Sequence, residues 1–225
     1  MGDTGVIFDM DGVIVLTERA HWESWQAPAL ARGVKLDHAT LLSCFGRVNP
    51  DCIRILFGPG ISEAESASIA EAKEIAFRDI IRSNVPLAPG IVELLKELKS
   101  RGVRTAIGSS APPENIALVL DAGKLRPMFD AIVDGSEVKL GKPAPDVFLM
   151  AAERMGVRPE RCSVIEDAPM GIVAAAAAGM LAIGVATTHA AQELTNAGAK
   201  FVFDQPGDLI SDRFFRAIGV MEWPE

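Results

Sequence analysis

The sequence predicts an α/β fold in which a doubly wound parallel sheet forms the core and a helical segment is inserted after the first strand. Short apolar runs bounded by Gly, Ser or Asp alternate along the chain with segments of helical periodicity, which is the pattern of a parallel sheet covered on both faces. Residues 17–84 depart from this alternation, because they show helical periodicity and contain no strand-like run. These two observations predict the fold class.

Six short apolar runs are the predicted strands of the sheet. They span residues 4–8, 103–107, 131–133, 162–165, 181–185 and 201–203. The helical segments between them carry terminal signals, as in residues 90–102, where a glycine follows the last periodic residue. The alanine run 174–178, closely flanked by Gly171 and Gly179, predicts a helix that packs very close to the sheet.

The segment without strands is interpreted as an inserted helical domain. Helical periodicity covers residues 18–32, 37–45, 50–57 and 62–83. The return path, residues 84–90, carries two prolines and a glycine, which favours a stiff linker followed by a helix start. The expected domains are an α/β core formed by residues 1–16 and 85–225, and a helical domain formed by residues 17–84.

Composition and charge exclude several classes of protein. A net charge of −8, without clustered Lys and Arg, argues against nucleic-acid binding. No apolar run approaches the roughly 18 residues of a membrane span. Asp9 and Asp11 interrupt the N-terminal apolar run, and Asp3 stands where a secretory signal carries positive charge. Since the three cysteines also lack metal-ligand spacing, we expect a cytoplasmic protein without a nucleic-acid or membrane partner.

Polar side chains follow several predicted strands, at the edge of the sheet where ligands bind in this class of fold. In chain order they are Asp9, Asp11, Ser109, Ser110, Lys142, Glu166 and Asp167. Each has a plain structural interpretation, because such residues also occur in solvated turns, helix caps and surface positions. Their predicted meeting at one edge of the sheet argues instead for a shared site.

These seven residues combine carboxylates, hydroxyls and a lysine, which are the groups of a divalent-cation site with a phosphate pocket. Mg²⁺ prefers oxygen ligands and usually combines one or two carboxylates with water and phosphate oxygens. A carboxylate can also attack phosphorus and form an aspartyl phosphate, which divides a difficult displacement into two easier ones. We expect Asp9 to be the nucleophile and a metal ligand, and Asp11 to protonate the leaving oxygen and then activate water. Gly12 lets the chain turn away without a side chain in the pocket.

Four motifs of the chain resemble those of a known family. They are DMDGVI at residues 9–14, the pair Ser109-Ser110, KPAPD at residues 142–146 and VIEDA at residues 164–168. In this order and spacing, over residues 6–204, they are similar to the haloacid dehalogenase superfamily. More narrowly, the chain resembles the branch of β-phosphoglucomutase-like phosphatases with a helical cap after the first strand. The resemblance implies a Rossmann-like core, a helical cap domain and an enzyme that hydrolyses phosphate monoesters.

The resemblance also implies roles for individual residues. The implied Mg²⁺ ligands are Asp9, the backbone carbonyl of Asp11, and Asp167 with Glu166 nearby. The implied phosphate-binding groups are Ser109, the backbone of Ser110 and Lys142. His21 matches a cap-hinge histidine, and Gly46-Arg47 matches a cap loop that faces the substrate. The implied substrate is a small phosphorylated metabolite, such as a sugar or polyol phosphate, bound by a monomer.

A few positions separate this chain from its relatives. Where the mutase of this branch uses an arginine of the cap loop and a lysine after the second motif, this chain has Asn49 and Pro112. Since a mutase must hold a second phosphate while its intermediate turns round, the loss of both cations favours hydrolysis. Leu16 stands where relatives commonly have an aspartate, next to the predicted hinge.

Other functions stay open at this point. Phosphoglucomutase-type transfer is the main alternative, and a sensor that binds Mg²⁺ and the phosphometabolite without turnover is another. A dehalogenase would need a carboxylate nucleophile but neither a metal nor the Glu166-Asp167 pair. In the helical segment, His21 and Arg47 also have structural interpretations, and the three-residue spacing of Trp22 and Trp25 is more typical of core packing than of substrate stacking.

Overall fold

The structure is a computed structural model that describes residues 4–221. Within these residues the sheet has six strands, and every neighbouring pair is parallel. The strands are β1 (Gly5–Phe8), β2 (Arg104–Gly108), β3 (Ala131–Val133), β4 (Cys162–Glu166), β5 (Leu181–Val185) and β6 (Phe201–Phe203). Their order across the sheet is β3-β2-β1-β4-β5-β6. The predicted doubly wound parallel sheet is confirmed, and each predicted strand lies within one residue of its observed position.

The central strands are apolar because both faces of the sheet are covered. All of β1 is buried, and Val6 and Phe8 belong to one apolar layer while Ile7 belongs to the other. β1 pairs with β2 on one side and with β4 on the other, so the direction of winding reverses between β1 and β4. Ligands bind at such a reversal, beyond the carboxyl ends of the strands, and Asp9 and Glu166 lie there.

Four helices follow β1 and precede the linker of residues 84–90. They are α1 (Glu18–Ala31), α2 (His38–Leu42), α3 (Asn49–Phe57) and α4 (Glu63–Ile81). The Asp37 carboxylate caps α2 and the Ser62 hydroxyl caps α4, each by accepting a backbone amide of the first turn. α2 ends three residues earlier than predicted, because the amides of residues 44 and 45 bond to carbonyls only three residues back and the chain turns.

The four helices have an apolar cluster of their own. Its members are Trp25, Leu41, Cys44, Phe45, Cys52, Ile53, Leu56 and Ile69, together with Ala168 from the sheet side. Trp22 packs against this cluster, so both tryptophans contribute to packing. α4 reaches further, because Phe77 and Ile81 join the apolar layer that contains Val6 and Phe8. The division into a core domain and a cap domain of residues 17–84 stays a prediction.

The remaining α-helices of the described residues cover the sheet. They are α5 (Ile91–Ser100), α6 (Pro113–Gly123), α7 (Asp146–Met155), α8 (Pro169–Ala177), α9 (Ala191–Ala197) and α10 (Asp212–Ala217). α5 buries a stripe of leucine and isoleucine side chains that share one helical face. α8 carries the alanine run, and Ala174 and Ala175 are fully buried where the helix packs against β4 and β5, as the sequence predicts.

Helix length and hydropathy bear on the membrane prediction. Among residues 4–221, no helix is both long enough and apolar enough to cross a membrane. The cytoplasmic location and the monomeric state stay predictions. Asp3, which argued against a secretory signal, lies outside the described residues.

Candidate active site

The site begins where β1 ends. The amide of Asp9 donates to the Ile165 carbonyl of β4 at 3.0 Å, which extends the strand pairing by one residue and leaves Asp9 buried. The chain then turns at Gly12, whose φ of +80° lies in the left-handed region. A Cβ atom at this position would stand 1.9 Å from Asp167 Oδ2. Glycine is therefore required both for the turn and for the close approach of Asp167.

Lys142 is a buried cation beside Asp9. It precedes α7, forms a cis peptide bond with Pro143 and is 1% exposed. Its Nζ donates to Asp9 Oδ1 at 2.8 Å and to Glu166 Oε1 at 2.6 Å. Burial alone would lower the pKa of Lys142, but the charges of Asp9 and Glu166 raise that pKa above its ordinary value. The charged lysine thus links the ends of β1 and β4.

Glu166 is fully buried and is held from several sides. Its Oε1 accepts the bond from Lys142, and its Oε2 accepts the amides of Asp167 and Ala168, each at 2.8 Å. These amides lead into α8, so the carboxylate lies at the start of that helix. A Cβ atom at Gly171 would stand 1.8 Å from Glu166 Oε1. The first turn of α8 can approach the carboxylate this closely because position 171 is glycine.

Asp9 and Asp167 carry buried charge that Lys142 balances only in part. Burial raises the pKa of Asp9 to about 7, against the lowering effect of Lys142. Burial, and then the neighbouring Glu166 and Asp9 carboxylates, raise the pKa of Asp167 well above its ordinary value. These carboxylates are therefore difficult to ionise together unless further positive charge lies close to them.

The donor set fits a divalent metal ion. One carboxylate oxygen from each of Asp9, Glu166 and Asp167 lies within 4.8 Å of the others, and all three residues are buried. A hard cation prefers such oxygen ligands, and its charge would offset the repulsion that raises the pKa values of Asp9 and Asp167. The oxygens of Glu166 already accept three hydrogen bonds, which leaves the other two carboxylates as the freer ligands.

Asp11 lies two residues beyond Asp9 in a different environment. Its Oδ1 accepts the Thr17 hydroxyl at 2.5 Å and lies 3.2 Å from His21 Nε2. Burial alone would raise the pKa of Asp11, but the contacts with His21 and Thr17 lower that pKa below its ordinary value. The start of α1 therefore orients this carboxylate. A metal contact through the Asp11 carbonyl stays a prediction.

His21 connects Asp11 to α4. Its ring stacks on Phe77 with the ring centroids 4.4 Å apart, and its Nδ1 lies 3.0 Å from Lys73 Nζ. The predicted hinge histidine therefore lies in the first inserted helix, in contact with a predicted catalytic aspartate. Its role toward the substrate stays a prediction.

Ser109 and Ser110 close the site from the side of β2. Ser109 is 1% exposed, and its Oγ accepts the Ala111 amide at 3.1 Å. The Ser110 hydroxyl donates to the Gly46 carbonyl at 2.8 Å, so it joins the sheet edge to the loop between α2 and α3. Pro112 stands just before α6. The serines therefore lie where a helix N-terminus and a strand end converge, and their phosphate contacts stay predictions.

A cavity of about 60 Å³ lies between the inserted helices and the carboxyl edge of the sheet. The predicted site residues that line it are Asp9, Asp11, His21, Arg47, Ser109 and Ser110. Lys142, Glu166 and Asp167 are buried beside Asp9 rather than on the cavity wall. The structure thus brings the predicted residues into one site, in which some line the cavity and the others are buried behind Asp9.

Asn49, which differs from the mutase, and Arg47, which matches the cap loop, both line the same cavity. Asn49 begins α3, lines the cavity and donates to Glu74 Oε1 at 2.9 Å. Arg47 donates to the Ser43 carbonyl at 2.9 Å and to Met170 Sδ at 3.6 Å. Both acceptors are uncharged, so these contacts leave the role of Arg47 toward the substrate a prediction.

Two threonines of the site carry no motif, yet sequence reasoning could have found them. The Thr187 hydroxyl donates to the Gly12 carbonyl at 2.6 Å, and the Thr188 hydroxyl donates to Asp167 Oδ2. Both residues lie just after β5, separated from it by Ala186. The rule that ligand-binding groups follow strand ends applies to β5 as it does to β1, β2 and β4.

Lys73 and Glu74 of α4 and Asn115 of α6 also line the cavity. Lys73 has a weak signal in the sequence, because it stands four residues after Ile69 and four residues before Phe77, on a buried helical stripe. Glu74 and Asn115 have no such signal. Their contribution depends on how the inserted helices pack on the sheet edge.

The sequence matches a protein-family model over residues 4–179, and the family is described as haloacid dehalogenase-like hydrolase. The chain is 35% identical over 181 residues to the fructose-1-phosphate phosphatase of Escherichia coli. This match covers 80% of this chain and 95% of that protein. It is also 33% identical over 211 residues to the β-phosphoglucomutase of Bacillus subtilis. That match covers 91% of this chain and 90% of the mutase.

A solved structure agrees with these matches. The crystal structure of β-phosphoglucomutase from Clostridium difficile has a TM-score of 0.87 and 30% sequence identity to this chain, with 97% of each chain covered. The family match and the similar phosphatase confirm the predicted enzyme class, a phosphatase of this superfamily. The chain therefore belongs to the haloacid dehalogenase-like hydrolase family and, by its relatives and its fold, to the β-phosphoglucomutase-like branch.

Proposed function

We propose that this protein is a Mg²⁺-dependent phosphatase that hydrolyses a small sugar or polyol phosphate through an aspartyl phosphate on Asp9. One arrangement carries the proposal. Asp9 lines the cavity with its carboxylate 2.8 Å from the Lys142 ammonium, and Asp11 lines the same cavity in contact with Thr17 and His21. The cavity therefore offers a nucleophile, Asp9, and a separate acid or base, Asp11, as a two-step phosphoryl transfer requires.

Asp9 carries the covalent step in this mechanism. Its carboxylate oxygen attacks phosphorus, the P–O bond to the sugar breaks, and the phosphoryl group stays on Asp9. The leaving oxygen takes a proton from Asp11. In the second step, Asp11 accepts a proton from water as the water attacks phosphorus, which releases inorganic phosphate and restores the Asp9 carboxylate.

Asp11 needs a proton for the first step, although its pKa is lowered in the free protein. A bound phosphate dianion adds negative charge to the cavity, and negative charge raises the pKa of a nearby carboxyl group. Substrate binding thus favours the protonated form of Asp11 at the stage when the leaving oxygen needs a proton. Departure of the phosphate returns Asp11 to its charged form.

The phosphate-binding groups are Ser109, the Ser110 backbone and Lys142. Both serines lie between the end of β2 and the start of α6, where backbone amides favour an anion. Lys142 keeps its charge in a buried position beside Asp9, so it lies where negative charge develops during transfer.

Mg²⁺ is the metal that this oxygen-rich site favours. Its proposed ligands are Asp9, Asp167 and the Asp11 carbonyl, with Glu166 beside them. When bound, the ion supplies positive charge that stabilises the transferring phosphoryl group. Glu166 mainly orients Lys142, because both of its oxygens are engaged by the lysine and by backbone amides.

A small leaving group suits the enclosure of the cavity. Residues of α1, α3 and α4 form its roof, and the sheet edge forms its floor. Residues 17–84 act as a cap that closes over the bound ester and excludes bulk water, with His21 and Arg47 facing the substrate. A sugar phosphate is also the substrate that gives the Escherichia coli relative its name.

Phosphoglucomutase-type transfer is the second candidate, because the match to the β-phosphoglucomutase of Bacillus subtilis covers nearly the whole chain. That reaction must hold a second phosphate while the intermediate turns round. The Asn49 amide is neutral and donates to Glu74, and Pro112 carries no charge. Hydrolysis is therefore the favoured reaction.

Phosphate release from sugar, polyol and nucleotide monophosphates, measured with Mg²⁺ and with a chelator, tests the proposal. We expect metal-dependent release from one or a few sugar or polyol phosphates. Conversion of β-glucose 1-phosphate to glucose 6-phosphate without release would favour the mutase, and binding without either reaction would favour a sensor.

Asp9→Asn is the variant that tests the mechanism. It should lower the rate of phosphate release by about a thousandfold or more, because an amide is a poor nucleophile. Its thermal unfolding curve should show that the protein is folded. Asp79→Asn, at an exposed position of α4, is the matched control and should leave the rate unchanged. Undiminished release by folded Asp9→Asn would contradict the aspartyl-phosphate mechanism.

A further inference from the structure

The cavity that the catalytic aspartates line also carries a polar network centred on Glu74. Glu74 Oε1 accepts from Lys73 at 2.7 Å and from Asn49 at 2.9 Å. Glu74 Oε2 accepts from Asn115 at 2.7 Å, and Arg78 donates to Asn115 Oδ1 at 3.0 Å. Glu74, Lys73 and Asn115 are almost fully buried, yet each lines the cavity together with Asn49. The network therefore belongs to the site and joins α3, α4 and α6.

The network contains an ionised carboxylate, Glu74, which is paired with the Lys73 ammonium. Burial alone would raise the pKa of Glu74, but Lys73 and His21 lower that pKa below its ordinary value, so the carboxylate is ionised at neutral pH. The Lys73 ammonium is bound to Glu74, lies 3.0 Å from His21 Nδ1 and stands 5.1 Å from the centroid of the Phe77 ring. A ligand at this wall thus meets a carboxylate and amides rather than an unpaired cation.

We propose that Glu74 is a specificity-determining residue that selects monophosphates with an uncharged, hydroxyl-bearing leaving group and rejects bisphosphates. The inference rests on the proposed function, because it concerns the end of the substrate that lies away from the reacting phosphate. With that phosphate held at Asp9 and Ser109, the rest of the ester occupies the same cavity, whose wall carries Asn49, Glu74 and Asn115.

Sugar hydroxyls match the chemistry of this wall. A carboxylate offers about four acceptor sites, and side-chain amides both donate and accept. Glu74 accepts three hydrogen bonds within the network, which leaves room for one from a substrate hydroxyl.

A second phosphate would instead lie beside a buried carboxylate, where the low dielectric constant strengthens like-charge repulsion. Lys73 offsets part of this repulsion, but its ammonium is held by Glu74 and lies against His21. Arg47 lines the same cavity and would attract such a phosphate. Glu74 and Arg47 therefore act on a second phosphate in opposite directions. A comparison of monophosphate and bisphosphate substrates shows which effect is larger.

Fructose 1-phosphate and fructose 1,6-bisphosphate are suitable probes, because they share one phosphate ester and differ by the second phosphate. We expect the wild-type protein to favour the monophosphate in kcat/KM by about a hundredfold. Glu74→Gln should narrow this preference by about tenfold or more, since it removes the repelling charge and frees that of Lys73. Glu71→Gln, an exposed carboxylate of the same helix, is the matched control and should leave the preference unchanged.

A second variant covers the case in which Glu74→Gln folds poorly. Asn49→Lys adds a cation next to Glu74 without removing the buried carboxylate, and it should narrow the preference in the same direction. Equal kcat/KM values for the two probes in the wild-type protein would overturn the inference. An unchanged preference in a folded Glu74→Gln or Asn49→Lys protein would overturn it as well.

Binding measurements separate this inference from the proposed function. Calorimetry with Asp9→Asn gives the dissociation constants of both probes without turnover. If the monophosphate binds more tightly than the bisphosphate, and this difference in affinity depends on Glu74, the inference is supported even where no phosphate is released. In that case only the phosphatase proposal fails. Equal or tighter binding of the bisphosphate overturns the inference while leaving the phosphatase proposal intact.

Discussion

Asp9 and Asp11 are two residues apart, and their pKa values shift in opposite directions. Burial raises the pKa of Asp9 to about 7, and the neighbouring Glu166 carboxylate adds to this effect. Asp11 is only partly buried, and a histidine and a hydroxyl contact its carboxylate and lower its pKa. Pairs of carboxyl groups whose surroundings differ in this way commonly divide nucleophilic and proton-transfer roles. The proposed roles need the opposite protonation states, and the ligands supply them: bound Mg²⁺ would favour ionised Asp9, and the bound phosphate dianion would favour protonated Asp11.

Asp11→Asn should slow both proton transfers, because an amide cannot exchange a proton with the leaving oxygen or with water. We expect phosphate release to slow by about a hundredfold to ten-thousandfold. The fold should persist, since the Asn oxygen can still accept the Thr17 hydroxyl. Steady-state release measured beside a thermal unfolding curve checks this prediction, and an unaffected rate would remove the acid and base role from Asp11.

Glu74 should also make the stability of the protein depend on pH. Its folded-state pKa lies below the ordinary value of 4.5. Ionised Glu74 therefore contributes stability that is present above pH 4.5 and is lost as the pH falls through the folded-state pKa. Glu74→Gln should remove this part of the pH dependence. Urea unfolding midpoints at several pH values between about 3 and 6 test it, and parallel profiles for the two proteins would contradict it.

At the scale of elements, the first turn of α8 positions the buried lysine indirectly. The helix start donates amides to Glu166, and Glu166 in turn binds Lys142 beside Asp9. The approach is possible because Gly171 has no side chain. A short helix rich in alanine therefore affects the electrostatics of the site as well as the packing of the sheet.

Gly171→Ala should displace Glu166, because the new Cβ atom would stand 1.8 Å from its Oε1. We expect a loss of stability of about 1–3 kcal/mol and a clear fall in kcat, since Lys142 loses Glu166, one of its two carboxylate partners. Gly60→Ala is the control, because a Cβ atom there would meet no heavy atom within 4 Å. Urea unfolding and phosphate release measure the two effects. A variant with wild-type stability and rate would show that the contact is not restrictive.

α4 explains how charged residues come to lie in the cavity. It carries Ile69 into the cluster of the inserted helices and Phe77 into the apolar layer of the sheet. Lys73 lies between them on the same helical face, so packing at both ends holds it in place. The periodicity predicts the helix, but the charged pair of Lys73 and Glu74 becomes part of the site only because the helix bridges the two clusters.

At the scale of the whole molecule, the sheet gathers three buried carboxylates at one edge, which should make stability depend on metal. We expect Mg²⁺ to raise the thermal midpoint and a chelator to lower it, since an ion that binds the folded state at about 100 times its dissociation constant adds about 2.7 kcal/mol. Asp167→Asn should weaken this response. Thermal scans at matched ionic strength, with a monovalent salt as control, measure it. Equal midpoints with Mg²⁺ and with chelator would contradict a metal site at this edge.

The strands, most helix bounds and the motif residues follow from the sequence alone, because apolar runs, turn residues and motif spacing are properties of neighbouring residues. The rule that ligand-binding groups follow parallel strands brings Asp9, Ser109 and Glu166 to one edge before any coordinates are known. The rule also reaches Thr188 once it is applied to β5. These features could be predicted because they depend on local pattern and on one general property of parallel sheets.

Other features depend on contacts between distant parts of the chain. Glu74 and Asn115 are 41 residues apart, and their hydrogen bond exists only because the inserted helices pack on the sheet edge in one orientation. The opposite pKa shifts of Asp9 and Asp11 likewise arise from burial and from partners brought by other elements. Tertiary structure alone decides these features, because electrostatic energy depends on distance and burial in space rather than on separation along the chain.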